Sequence, residues 1–153
     1  MTTPSVRLIE LGITLPTVAA PIAAYLPAVA DDHHIYVSGQ LPLVDGALQT
    51  TGRLGSDIDT EVGYGQARVC VLNGLAATVG LIGDIDRVTR VIRVGGFVAC
   101  TPTFRDQAAV INGASELLAE IFGDQGRHAR SAVGVAALPL NAAVEVELLL
   151  GYA

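Results

Sequence analysis

Hydrophobic and polar positions change period several times along the chain, and each change marks an element. Ser5 to Leu11 suffices for one or two helical turns, with Gly12 as a stop. Leu11 to Ala30 carries no formal charge and is long enough to span a bilayer, but Pro16, Pro21 and Pro27 interrupt it. Repeated prolines break a helix, so the stretch is read as extended chain outside a membrane, ending in a strand at Tyr25 to Ala30. Asp31-Asp32-His33-His34 makes a polar turn before a second strand at Ile35-Tyr36-Val37. Asp45-Gly46 signals a hairpin between Leu41-Pro42-Leu43-Val44 and Ala47-Leu48, weakened by Pro42.

From Glu61 to Val79 the period is helical: Val69, Leu72, Ala76 and Val79 share a face, with Gln66, Arg68 and Asn73 off it. Gly80 and Gly83 suit its end, and Gly74 weakens its interior. Arg87 to Cys100 is β-branched and reads as a strand, where Gly95-Gly96 marks a bulge or a close backbone approach. Arg105 to Phe122 is the clearest helix, with a stripe of Val110, Ala114, Leu117, Leu118, Ile121 and Phe122 that Gly123 ends. Inside it Asn112-Gly113 is odd, and helix–helix packing explains the pair as well as ligand binding does. Ala129 to Leu150 closes the chain as two strands joined by Leu138 to Asn141. The order β-β-β-α-β-α-β-β predicts an α+β sandwich, with both helices on one face of a mainly antiparallel sheet.

The last two strands carry the candidate chemistry. In the first, Ser131, Val133, Val135 and Ala137 share a face opposite Arg130, Ala132, Gly134, Ala136 and Leu138. In the second, Val144, Val146 and Leu148 oppose Glu145 and Glu147. Helices covering the valines would leave Arg130 and Glu145 together on the uncovered face, the first beside small residues that leave room for a ligand. A buried arginine or carboxylate needs a partner. Spacing alone favours solvent exposure or mutual pairing, because structural ion pairs outnumber sites. As a site, Arg130 would hold a carboxylate in a bidentate contact and Glu145 would position or deprotonate a water. Such parts suit a substrate that is already electrophilic, such as an iminium.

Composition narrows the possibilities. The 153 residues make one domain, 1–153, and 51% hydrophobic against 16% charged residues predicts subunits that cover one another's faces. A net charge of −6 and few aromatics work against nucleic acid as a partner. Cys70 and Cys100 lack metal-type spacing and no signal-peptide pattern precedes them, which predicts packed, reduced thiols in a cytoplasmic protein. His33, His34 and His128 show no ligand pattern and read as solvated turn residues, so neither metal nor cofactor is expected.

The run HARSAVGVAALPLNAAVEVE, with VSGQLPL at Val37 to Leu43, resembles the Rid (YjgF) family over nearly the whole chain. The segments GFVACTPTFRDQAAVINGASELL and GRHARSAVGVAALPL resemble its RidA-like, endoribonuclease L-PSP-like branch. The resemblance implies a chorismate-mutase-like fold, a homotrimer, and ligand clefts between subunits. It also implies hydrolysis of reactive enamines and imines to 2-oxo acids and ammonia, so the partner is a small carboxylate-bearing imine or enamine. By the same resemblance Arg130 binds the substrate carboxylate, Glu145 is the cleft glutamate, and Tyr25, Ser38, Gly39 and Asn112 contact substrate. Ala132 stands where many deaminating members have a cysteine. Binding without catalysis, or RNA cleavage, are the alternatives.

Overall fold

A computed structural model describes residues 2–18 and 23–153. Helix α1, Pro4–Glu10, starts on a proline, whose missing N–H would be unpaired there in any case. Leu11 to Ala30 contains no helix where it is described; Pro21, one of its three prolines, lies outside the described residues. Strand β1 spans Ala28–Asp31, shorter than the predicted Tyr25 to Ala30. Pro27 has no N–H for the ladder, so Tyr25 and Leu26 sit in an exposed bend before pairing begins. Strand β2, His34–Gln40, follows the polar turn. The two-residue pieces β3, Leu43–Val44, and β4, Ala47–Leu48, form the expected hairpin. Asp45 and Gly46 both take positive φ, 51° and 79°, as a tight two-residue turn between twisted strands requires.

Helix α2, Thr60–Ile82, is capped by Asp59, whose side chain accepts from the Val62 N–H, and ends at left-handed Gly83. Its packed face differs from the predicted one. Ala76 is buried as predicted, but so are Ala67, Cys70, Val71 and Leu75, whereas Val69, Leu72 and Val79 are only half-buried. Small or apolar residues lie on nearly every side of this helix, so periodicity says little about its orientation. Contact decides instead: α2 packs on β2, β7 and α3 together.

Strand β5, Val88–Ala99, helix α3, Gln107–Phe122, strand β6, Ala129–Val135, and strand β7, Val144–Tyr152, complete the fold. The sheet order is β1-β2-β7-β5-β6, antiparallel except for the β5–β6 pair. A parallel pair cannot be joined by a tight turn, and α3 is the crossover. Both long helices lie on one side of this sheet. Val91, Val94 and Val98 of β5 and Val144, Val146, Leu148 and Leu150 of β7 face them in the core. The other face, with Val29, Tyr36 and Val133 exposed and Phe97 and Leu149 half-buried, is covered by no layer among the described residues.

Two glycines set how closely α3 sits. A Cβ on Gly96 would fall within 2.5 Å of Ile111, and one on Gly113 would collide with the backbone carbonyl of Tyr64 in α2. By intrinsic preference Gly113→Ala would stabilise a helix by about 1 kcal/mol. Here overpacking against backbone makes it destabilise by about 1–3 kcal/mol, read as a lower midpoint of denaturant unfolding. A raised midpoint would mean that the helices do not touch at Gly113.

Candidate active site

Arg130 enters at the start of β6, in register with Val94. Its Nη1 donates to Asn112 Oδ1 at 2.8 Å and to Ser115 Oγ at 3.1 Å. Asn112 and Ser115 are three residues apart on α3, so one helical face presents both. With both Nη1 hydrogens engaged, the Nε–Nη2 edge makes no hydrogen bond among the described residues. That edge is the fork which takes a carboxylate through two parallel bonds.

The network continues behind Ser115. Its Oγ lies 2.9 Å from His128 Nε2, and His128 Nδ1 lies 2.6 Å from the Gly126 carbonyl oxygen. His128 is therefore half-buried and bonded, contrary to its reading as a solvated turn residue; His33 and His34 are exposed. Sequence reasoning missed Ser115. The available signal was spacing: Ser115 is one helical turn from Asn112, and His128 is two residues from Arg130 in extended chain.

Glu145 belongs to a second group. Val37 pairs with Leu148 and Gln40 with Val146, so β2 carries one extra residue, a bulge at Ser38-Gly39. A Cβ on Gly39 would collide with Glu145 Oε1, which places the carboxylate directly over the glycine backbone. Ser38 Oγ donates to the Leu26 carbonyl at 2.7 Å and ties the bend that holds Tyr25 to this bulge. Tyr25 itself is 55% exposed. Glu147 pairs with Arg93 at 3.4 Å, whereas Glu145 makes no ion pair among the described residues. Burial, and then the negative charge of Glu147, push the Glu145 carboxyl above its ordinary range.

The two groups do not meet within one chain. Glu145 aligns across the sheet with Phe97 and Val133, on the open face. Arg130 aligns with Val94 and Leu148, on the helix face. Two strand spacings and three residues separate their backbones by roughly 14 Å, and the side chains project to opposite sides. The expectation of a shared uncovered face thus holds for Glu145 and is reversed for Arg130. Small residues on β6 mark close packing, not vacancy. Ala132 packs on the core, and a Cβ on Gly134 would come 2.7 Å from Cys100 Sγ. The valine face is the open one.

The cysteines differ. Cys70 is fully buried on α2, and burial pushes its thiol well up, so it is a packed, unreactive group. Cys100 is half-buried and accepts from Gln107 Nε2 at 3.6 Å. A depression of about 580 Å³ lies between residues 14–18, Asn73 and the β3–β4 hairpin, and includes neither Arg130 nor Glu145.

The raised Glu145 carboxyl links stability to pH. The folded chain holds this proton more tightly than the unfolded one, so the contribution is complete below the ordinary carboxylate range. It is lost as pH rises through the raised value. Glu145→Gln should therefore raise the thermal midpoint relative to wild type at pH 8, with the two converging near pH 4. A difference that stays constant with pH would exclude this titration.

Residues 5–151 match the family model described as "YjgF/chorismate_mutase-like, putative endoribonuclease". Protein TCP17 of Trypanosoma cruzi is 45% identical over 142 residues, 92% of this chain and 89% of that protein. The crystal structure of Atu1372 from Agrobacterium tumefaciens superposes with a TM-score of 0.89 at 44% identity, covering 96% of this chain and 91% of that one. A Shewanella oneidensis MR-1 protein with the same endoribonuclease description superposes at 0.94 and 33% identity, covering 98% and 99%. The match runs from α1 to β7, and the chain belongs to the YjgF (Rid) family and has its chorismate-mutase-like fold.

Proposed function

We propose that the protein hydrolyses reactive 2-imino acids and their enamine tautomers to 2-oxo acids and ammonia, in clefts shared between subunits of a homotrimer. The observation that carries this reading is the Arg130 guanidinium, pinned through Nη1 with its Nε–Nη2 edge open. Glu145 supports it as a half-buried carboxylate that holds its proton more tightly than an ordinary one and has no cationic partner among the described residues, a group suited to proton transfer. Because the two side chains leave opposite faces of one sheet, a ligand touching both requires Arg130 of one subunit and Glu145 of a neighbour. The uncovered apolar face supplies a surface on which subunits would associate.

In the reaction, the substrate carboxylate occupies the Arg130 fork. Glu145 takes a proton from a water whose oxygen bonds to the imine carbon, while the C=N π electrons move to nitrogen. The carbinolamine nitrogen then receives that proton. Glu145, again a carboxylate, takes the hydroxyl proton as the carbonyl forms and passes it to the nitrogen as the C–N bond breaks, so the nitrogen leaves as ammonia and the carboxylate is regenerated. Ala132, in place of the family's common cysteine, removes none of these steps. The family description favours RNA as an alternative substrate, but a net charge of −6 works against a phosphate backbone.

Ammonia release from enzymatically generated imines tests the proposal. Wild type should accelerate it, Arg130→Ala should raise KM, and Glu145→Gln should lower kcat by about 10² or more. Co-assembling the two variants should restore about a quarter of wild-type activity, since random mixing leaves one cleft in four with both intact residues. A mixture no better than its components would rule out the shared cleft, and no acceleration by wild type would leave carboxylate binding without turnover.

A further inference from the structure

The hydrogen bonds behind Arg130 run in one direction. A carbonyl oxygen can only accept, so the contact with Gly126 puts a hydrogen on His128 Nδ1. In the neutral ring Nε2 is then an acceptor, and Ser115 must donate its single hydroxyl hydrogen to it. Ser115 Oγ meanwhile accepts from Arg130 Nη1. In this state the serine offers the cleft no hydrogen.

A proton on Nε2 reverses one link. The imidazolium donates to Ser115 Oγ, which still accepts from Arg130, and the serine hydrogen is released. Asn112 Oδ1 already accepts from Arg130, so the hydroxyl is left to turn toward whatever the guanidinium holds. An incoming carboxylate both accepts that hydrogen and brings the negative charge that an imidazolium favours.

We propose that Ser115 and His128 belong to the ligand site: Ser115 is a second donor to the carboxylate held by Arg130, and His128 takes up a proton as the anion binds. The inference rests on Arg130 being a carboxylate anchor and extends it to two residues outside the Arg130–Glu145 pair. Other charged groups face the same region and enter the test. Arg90 of β5 and Arg127 line one depression with His128, and Arg127 pairs with Asp124 at 3.6 Å. On α3, Glu116 bonds Tyr64 and Glu120 bonds Arg68, so neither carboxylate engages the ring. Glu145 of a neighbouring subunit is the remaining titrating group in the proposed cleft.

Titration calorimetry with 2-oxobutanoate as the probe, at pH 6 and pH 8 and in two buffers of different ionisation enthalpy, reads the coupling directly. Wild type and Glu145→Gln should both bind at least about fivefold more tightly at pH 6, with proton uptake at each site. Ser115→Ala and His128→Gln should still bind at pH 8 but lose the pH dependence and the uptake. Equal weakening of those two variants at both pH values would mean that they only hold Arg130 in place, and would overturn the proposal. So would pH-independent binding by wild type, or a dependence abolished by Glu145→Gln alone. No binding at either pH by wild type would instead remove the Arg130 anchor, and this inference with it.

Discussion

The close seating of α3 is the constraint on which the rest of the structure depends. It is the crossover that makes β6 parallel to β5, and it lies against α2 without an intervening side chain at Gly113. The same helix then touches β5 through Ile111 over Gly96. A helix held by backbone contact cannot shift without loss, so the polar residues it carries have defined positions. Asn112, next to the contact glycine, and Ser115, one turn on, both reach Arg130 Nη1. Rigidity set by packing thus becomes the orientation of a guanidinium, and the choice of which edge it leaves open.

The second group is built by a different device. One extra residue in β2 bends the strand beside β7, and a glycine in the bulge admits the Glu145 carboxylate over its backbone. Partial burial there and the nearby charge of Glu147 make the carboxylate hold its proton more tightly, while Glu147 pairs with Arg93. Two neighbouring carboxylates on one strand face therefore have different surroundings. Glu147 has a cationic partner in Arg93, and Glu145 has none among the described residues.

Placing these groups on opposite faces of one sheet has an energetic logic. An Arg130–Glu145 ion pair within the subunit would saturate both charges and leave nothing for a ligand. With the two separated, neither the Nε–Nη2 fork of the arginine nor the carboxylate has a charged partner among the described residues. In the proposed assembly they come together only where two subunits meet, so a complete site and the covering of the apolar sheet face arise from the same association.

Read alone, the sequence determined the element order, the strand periodicities, the turn at Asp45-Gly46 and the glycine stops at Gly83 and Gly123. These are local matters of backbone conformation and side-chain alternation. Its motifs also carried the family. Alternation further states which residues of a strand share a face, and Arg130, Ala132 and Gly134 do so. It does not state which face the helices cover; that depended on the side of the sheet to which α3 packs as it crosses from β5 to β6, which tertiary contact decides and alternation does not. The same reason applies to α2, whose apolar surface on every side left its orientation to its neighbours, and to Ser115 and His128. Those two side chains became partners only because the crossover returned one strand beside the helix that precedes it.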